Sequence, residues 1–269
     1  MAKRNRKEIA WAQNFLVNRR LVRDLVAASS IRAEDTVYEI GAGRGILTAE
    51  LARAARRVVA LEIDPALARE LRARFRDRPQ VEILERDFLE YRIALPRYKI
   101  FANIPFNRTA DIVRKILGDI PGPQEAYLVV QREAAEKFCG RPRETRFSLL
   151  AKPFFRMEIL RALRRTDFSP VPGVDSVLLR IGRRPAPLIP RREAAQYRGF
   201  IHHAFGVWKK SARLILNPFL SFRQWKRLSR DLRIPYDAVP SEISFDQWLG
   251  LFEFYNREGA GSAPCRFRK

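Results

Sequence analysis

Two cysteines, Cys139 and Cys265, and one adjacent histidine pair, His202-His203, are the only thiol and imidazole metal ligands in 269 residues. Two thiols cannot complete a zinc cluster, and neighbouring residues point in different directions on a helix or strand. No metal is assigned, and a reduced pair of unrelated thiols is expected. No run approaches the roughly 20 uninterrupted apolar residues of a membrane span. The basic start Met1-Ala2-Lys3-Arg4-Asn5-Arg6-Lys7 is followed by no apolar core of the signal-peptide kind. A cytoplasmic protein without a membrane partner is expected. Acid is scarce as well: 30 Asp and Glu stand against 52 Lys and Arg, a net charge of +22. Solubility does not require so much, and a polyanionic partner is the leading physical explanation, with a generally arginine-rich composition as the alternative. Residues 183–269 hold 17 basic and 7 acidic side chains, so the excess is not confined to one detachable tail.

What the chain does have is ample apolar material, 46% of its residues, enough for one large domain with or without a small one. Short β-rich runs at Thr36–Ile40, Val58–Glu62, Val81–Leu84, Tyr98–Ala102 and Ala126–Gln131 alternate with helical patterns at Ile46–Ala54, Pro65–Phe75, Ala110–Leu117 and Glu133–Phe138. That alternation predicts an α/β, Rossmann-like, doubly wound sheet, mainly parallel. Two later β-like segments, Phe154–Leu163 and Val174–Ile181, have no obvious helix between them and predict an antiparallel ending. Arg183 to Pro190, with three prolines, reads as a stiff linker. Helical patterns follow at Arg192–Phe205, Lys209–Leu216, Ser221–Leu232 and Phe245–Tyr255, which predicts a small all-helical second domain with a basic surface. The expected domains are 1–182, 183–258 and a frayed tail 259–269.

Glu39-Ile40-Gly41-Ala42-Gly43-Arg44-Gly45 follows the first of these strands and opens a helix. Glycines there permit a tight turn and close approach of a ligand. The GxGxG spacing is not that of dinucleotide binders, and the Lys-Ser/Thr of a P-loop is missing. Glu62 ends the second strand, where a carboxylate can hold ribose hydroxyls. Asp87 ends the third, where it can accept from an adenine amine. A ligand with adenine and ribose but no pyrophosphate suits the set, and S-adenosyl-L-methionine is the common one. Each acid can instead be a helix cap. Gln13-Asn14-Phe15-Leu16 can close over the cofactor or form a simple turn.

Asn103-Ile104-Pro105-Phe106 closes the fourth strand. An amide and the carbonyls around a proline offer acceptors to an exocyclic amine, and an aromatic ring can stack on a flat base. Alone, the same string is equally a strand ending in a turn.

Taken in order, Gln13-Asn14-Phe15-Leu16, Glu39 to Gly45, Glu62-Ile63-Asp64, Asp87-Phe88, Asn103 to Phe106 and Phe168-Ser169-Pro170-Val171-Pro172-Gly173-Val174-Asp175-Ser176 resemble the motifs of the ribosomal RNA adenine N6-methyltransferases. The resemblance implies a class I methyltransferase sheet and a monomer acting on ribosomal RNA. It implies a catalytic segment Asn103, Ile104, Pro105, Phe106, and a cofactor site of Gln13, Asn14, Leu16, Gly41, Gly43, Glu62, Ile63, Asp87, Phe88 and Asn103. Of the family's two branches, the chain looks more like the Erm-type enzymes than those that mature the small subunit. Erm-type enzymes modify one large-subunit (23S) adenine and block macrolide, lincosamide and streptogramin B antibiotics. Ile104 and the segment Ser244–Tyr255 carry that likeness. Phe106 stands where Tyr is commoner, which removes a hydroxyl and keeps the stacking face. A non-catalytic nucleic-acid-binding factor on the same fold is the alternative of a different class.

Overall fold

The computed structural model describes residues 14–119, 122–206 and 210–259. Gln13, Lys209, Cys265 and positions 260–269 of the expected tail lie outside the described residues. In chain order the elements are β1 (Phe15–Leu16), α1 (Arg19–Ala27), β2 (Thr36–Ile40), α2 (Ile46–Ala54), β3 (Arg57–Glu62), α3 (Pro65–Arg74), β4 (Val81–Glu85), β5 (Lys99–Asn103), a 3-10 turn (Phe106–Arg108), α4 (Thr109–Gly118), β6 (Glu125–Gln131), α5 (Arg132–Cys139), α6 (Arg146–Ala151), β7 (Phe155–Leu163), β8 (Phe168–Ser169) and β9 (Ser176–Arg183). Then come α7 (Ala194–Ala204), α8 (Ala212–Ile215), α9 (Phe222–Asp231) and α10 (Phe245–Gly259).

The main sheet has the order β4-β3-β2-β5-β6-β9-β7. Pairs β2–β3, β3–β4, β2–β5 and β5–β6 are parallel, and β9 returns antiparallel to β6. The five residues of β2 are all buried, as a parallel strand covered on both faces must be, which is why it reads as a near-continuous apolar run. From β2 the chain winds outward to β4, then crosses back to β5. The order reverses between β2 and β5, and the crevice beyond their carboxyl ends is where open α/β sheets bind ligands.

A second, two-stranded sheet joins distant sequence: Phe15 pairs with Ser169 and Leu16 with Phe168, antiparallel. Asp167 reinforces it. Its carbonyl accepts from Val17 N at 2.9 Å, and its carboxylate accepts from Asn18 Nδ2 at 2.8 Å while Asn18 caps α1 through Leu21 N.

The chain divides into two compact units, one running through residue 135 and resuming at 156–183, the other taking 136–155 and the chain from 184 onward. One division between the units falls between Arg183 and Arg184. Residues 136–155, expected within the first domain, pack with the helical unit instead, because α6 contributes the fully buried Leu149 to its core. There the Tyr197 hydroxyl donates to the Leu149 carbonyl at 3.0 Å, and Glu144 N donates to the Ser241 carbonyl at 2.9 Å. Tyr197, Phe200, Trp248 and Phe252 form its aromatic centre, Phe200 and Trp248 meeting edge to face at 5.8 Å. The expected linker 183–190 is not a free spacer: Arg184 N and Leu188 N donate to the carbonyls of Phe154 and Pro153, and Ile189 is buried. On α9, Trp225, Leu228 and Ser229 face inward, while Arg223, Lys226, Arg227 and Arg230 are exposed. No helix among the described residues is long and apolar enough to cross a membrane.

Candidate functional site

At the β2–β5 switch point the backbone leaves β2 through three glycines with φ of +68°, +55° and +74°. They serve different ends. A side chain at Gly41 would meet nothing within 4 Å, so this residue leaves its surroundings open. A Cβ at Gly43 would lie 2.8 Å from the Phe15 ring, which also carries the Arg44 guanidinium 5.1 Å from its centroid. A Cβ at Gly45 would strike Leu71 and Phe75 of the α3 region, so that glycine serves packing.

Glu62, 2% exposed at the end of β3, accepts from Gly43 N at 2.8 Å and Asp64 N at 2.9 Å, one bond to each oxygen. A carboxylate offers about four lone-pair positions, so two remain for a ligand. Asp64 is a helix cap, accepting from Ala66 N and Leu67 N with Pro65 at the first helical position. Beside this turn, Glu39 is 1% exposed; burial pushes its carboxyl up to about 8, and the Glu62 charge pushes the same way. Burial thus favours the neutral form of the Glu39 carboxyl.

Asp87 serves two purposes at once. Its Oδ1 accepts from Leu89 N at 2.8 Å within a turn, with no helix among the described residues between β4 and β5 for it to cap, and Oδ2 lies 3.2 Å from Arg108 Nη2. Asn103, the last residue of β5, donates from Nδ2 to the Asn14 carbonyl at 2.8 Å. A carbonyl oxygen only accepts, so the amide nitrogen is committed to it and Asn103 Oδ1 is the atom left for an incoming donor.

These residues enclose two adjoining cavities. The smaller, about 40 Å³, is lined by Asn14, Phe15, Asn103, Ile104 and Phe106 among others. The larger, about 100 Å³, is lined by Ile63, Asp87, Phe88, Arg108 and Ile112 among others. Gly41, Glu62 and Pro105 line both.

Of the described residues that the sequence assigns to the catalytic segment and the cofactor site, all but Leu16 line this crevice. Leu16 is buried in the hydrophobic core of the first unit, and its neighbour Phe15 lines the smaller cavity in its stead. Successive strand residues face opposite ways, and a two-residue strand shows no alternation from which to read the phase. Arg108, which lines the larger cavity, is a further site residue that the motifs did not contain. Of the two histidines, His203 contacts the Ile215 carbonyl at 2.9 Å through Nε2. Among the described residues, no group of three His, Cys, Asp or Glu could hold a metal ion.

The family model for ribosomal RNA adenine dimethylase matches residues 4–257. An rRNA methyltransferase of Streptomyces thermotolerans is 34% identical over 250 residues, covering 93% of this chain and 83% of the relative. A ribosomal RNA small subunit methyltransferase A of Acaryochloris marina is 32% identical over 255 residues, covering 90% and 94%. Among solved structures, the 23S rRNA methyltransferase ErmE superposes with a TM-score of 0.85 at 31% identity, covering 90% of this chain and all of that one.

Proposed function

Because this chain belongs to the ribosomal RNA adenine dimethylase family, and is accordingly a ribosomal RNA adenine N6-methyltransferase, we propose that it acts, as a monomer, on one adenine of large-subunit (23S) ribosomal RNA. The methyl donor is S-adenosyl-L-methionine, and the outcome is resistance to macrolide, lincosamide and streptogramin B antibiotics. The observation that carries the chemistry is the Asn103 amide, fixed through Asn14 so that an acceptor oxygen remains in a cleft walled by Pro105 and Phe106. Support for the large-subunit branch comes from the likeness to ErmE over nearly the whole chain, together with Ile104 and the segment at Ser244–Tyr255.

The residues fit the donor: Gly41 leaves open space, Phe15 lies against Gly43, and Glu62 keeps two lone-pair positions beside them. Glu62 would hold the ribose hydroxyls and Asp87 would accept from the cofactor's adenine amine, with Ile63 and Phe88 as apolar lining of the same cavity. When bound, the cofactor supplies an already activated sulfonium methyl, so the chain needs no nucleophile of its own. Adenine's exocyclic amine is a poor nucleophile because its lone pair is delocalised into the ring. Asn103 Oδ1 and the Ile104 carbonyl accept its hydrogens, return density to nitrogen and stabilise the positive charge that develops there. Phe106 stacks on the extruded base, a contact typically worth about 1–3 kcal/mol. The proton lost afterwards goes to water. The exposed Arg223, Lys226, Arg227 and Arg230 of α9 supply phosphate contacts.

The small-subunit reading has one observation in its favour, the 32% identity to a small subunit methyltransferase. Tritium incorporation from labelled S-adenosylmethionine into naked large-subunit RNA, against immature small subunits, separates the two. Label confined to small subunits would refute the proposal.

A further inference from the structure

Pro105 lines both cavities, and the residues after it divide between them: Phe106 lines the smaller, Asn107 and Arg108 the larger. Asn103 is anchored by the sheet, being paired with Val129 in the β5–β6 ladder. Phe106 lies beyond the end of β5, where no ladder bond fixes it. The 3-10 turn it opens closes on itself through Arg108 N, which donates to the Pro105 carbonyl at 3.0 Å. Arg108 then reaches across the crevice to Asp87 at 3.2 Å. Asp87 follows β4 and Arg108 follows β5, strands that stand three places apart in the sheet, so this ion pair spans the carboxyl ends of β3 and β2 between them. The Asp87 carboxylate is not free to swing, because its other oxygen is held by Leu89 N. The side chains of Arg108 and Asp87 are 32% and 24% exposed, a setting in which an ion pair adds little to stability. Its geometric effect is larger: besides the chain's own continuation into α4, it ties the Phe106 turn to the loop after β4.

We propose that Arg108 is a positioning residue for methyl transfer, a strut that holds the Pro105–Phe106 wall at a set distance from the Asp87 end of the cleft. This rests on the reading that Asp87 receives the cofactor's adenine while Asn103 to Phe106 receive the target base. Transfer requires the amine to lie in line with the breaking carbon–sulfur bond, and small displacements of one wall lower the rate steeply. An aromatic wall without this side-chain tie would still bind a base, but in a wider range of poses.

The test uses the full chain, S-adenosylhomocysteine calorimetry and single-turnover methylation of a hairpin RNA carrying the target adenine, at saturating cofactor. Arg108→Met should lower the saturating rate by about tenfold to a hundredfold, as misalignment does, while cofactor affinity changes by less than about threefold, the scale of a weak exposed pair. Arg108→Lys, which keeps the charge, should recover most of the rate. Adding Arg108→Met to Asp87→Asn should cost little more, because both remove the same strut. An unchanged rate in Arg108→Met overturns the proposal. So does a loss seen only as weaker RNA half-saturation with a shallower salt dependence, undiminished in the Asp87→Asn background, which would make Arg108 a phosphate contact. If Asp87→Asn alone leaves cofactor affinity unchanged, the assignment of Asp87 to adenine fails, and the strut is still judged by the rates.

Discussion

The Asn103 side-chain nitrogen donates to the Asn14 backbone carbonyl over 2.8 Å, joining residues 89 positions apart and deciding which atom of the amide the cleft presents. Asn103→Ala removes the acceptor and should cut single-turnover methylation on the order of a hundredfold, the usual loss for a preorganised contact to developing charge. Asn103→Asp should fail too, since a carboxylate has no donor for the Asn14 carbonyl and would turn like partial charges toward each other. Methyl transfer to a short hairpin, with cofactor binding checked separately, measures both. A near-normal rate for Asn103→Ala would sink the mechanism even though the enzyme class survived.

Phe106 offers a face and no polar group. Phe106→Tyr should therefore remain active, whereas Phe106→Ala should lose base capture by about 1–3 kcal/mol. The readout is half-saturation by the hairpin; equal values for Phe106→Ala and the parent would remove the ring from the base site.

Glu62 has two duties, tying Gly43 N and Asp64 N and facing the cleft. Glu62→Ala should weaken cofactor binding by about 1–3 kcal/mol, the scale of hydrogen bonds lost from a buried partner. Glu62→Gln should recover only part of this, since its amide nitrogen must face one of the two N–H donors. Calorimetry with S-adenosylmethionine decides, and unchanged affinity in Glu62→Ala excludes the residue from the site.

Glu39 predicts a pH effect on stability. Its unfolded carboxyl ionises near 4.5, while burial keeps the folded one neutral up to about 8. The unfolded state releases this proton first, so the contribution is fully present below 4.5 and is lost as pH rises toward 8. Glu39→Gln, neutral throughout, should melt increasingly above the parent as pH is raised across that window. Parallel Tm–pH curves for the two proteins would place the titration elsewhere.

Ending the chain after Arg183 would strip the aromatic partners from Leu149 and leave the Glu144 N–H without the Ser241 carbonyl. The truncated protein should lose cooperative melting as well as RNA affinity. A sharp transition at the parent's Tm would show that residues 136–155 fold without the C-terminal helices.

Much of this was legible beforehand because local chemistry carried it. The strands from Thr36 to Gln131 were readable as β-rich apolar runs between amphipathic stretches, and Gly41, Glu62, Asp87 and Asn103 fall at strand ends in an order few folds use. Features set by pairing between distant segments were not legible. Nothing near Phe15 says that Ser169 will be its neighbour, so neither the phase of β1 nor the burial of Leu16 can be read there. Helix α6 is six residues long, too short for a periodic signature, and depends on the Thr145–Ser148 capping box and on packing with α7. The Arg108–Asp87 contact joins two loops whose proximity only the sheet order creates.

The pairing of Phe15 with Ser169 also sets a timetable. Protein synthesis delivers the residue that lies against Gly43 some 150 residues before its strand partner, while domains settle from the amino end as they emerge. The glycine turn, Glu62 and Asn103 are thus all translated before β1 has anything to pair with. A nascent chain can pair β1, and so set the Phe15 wall of the smaller cavity, only once the Phe168-Ser169 segment has been made.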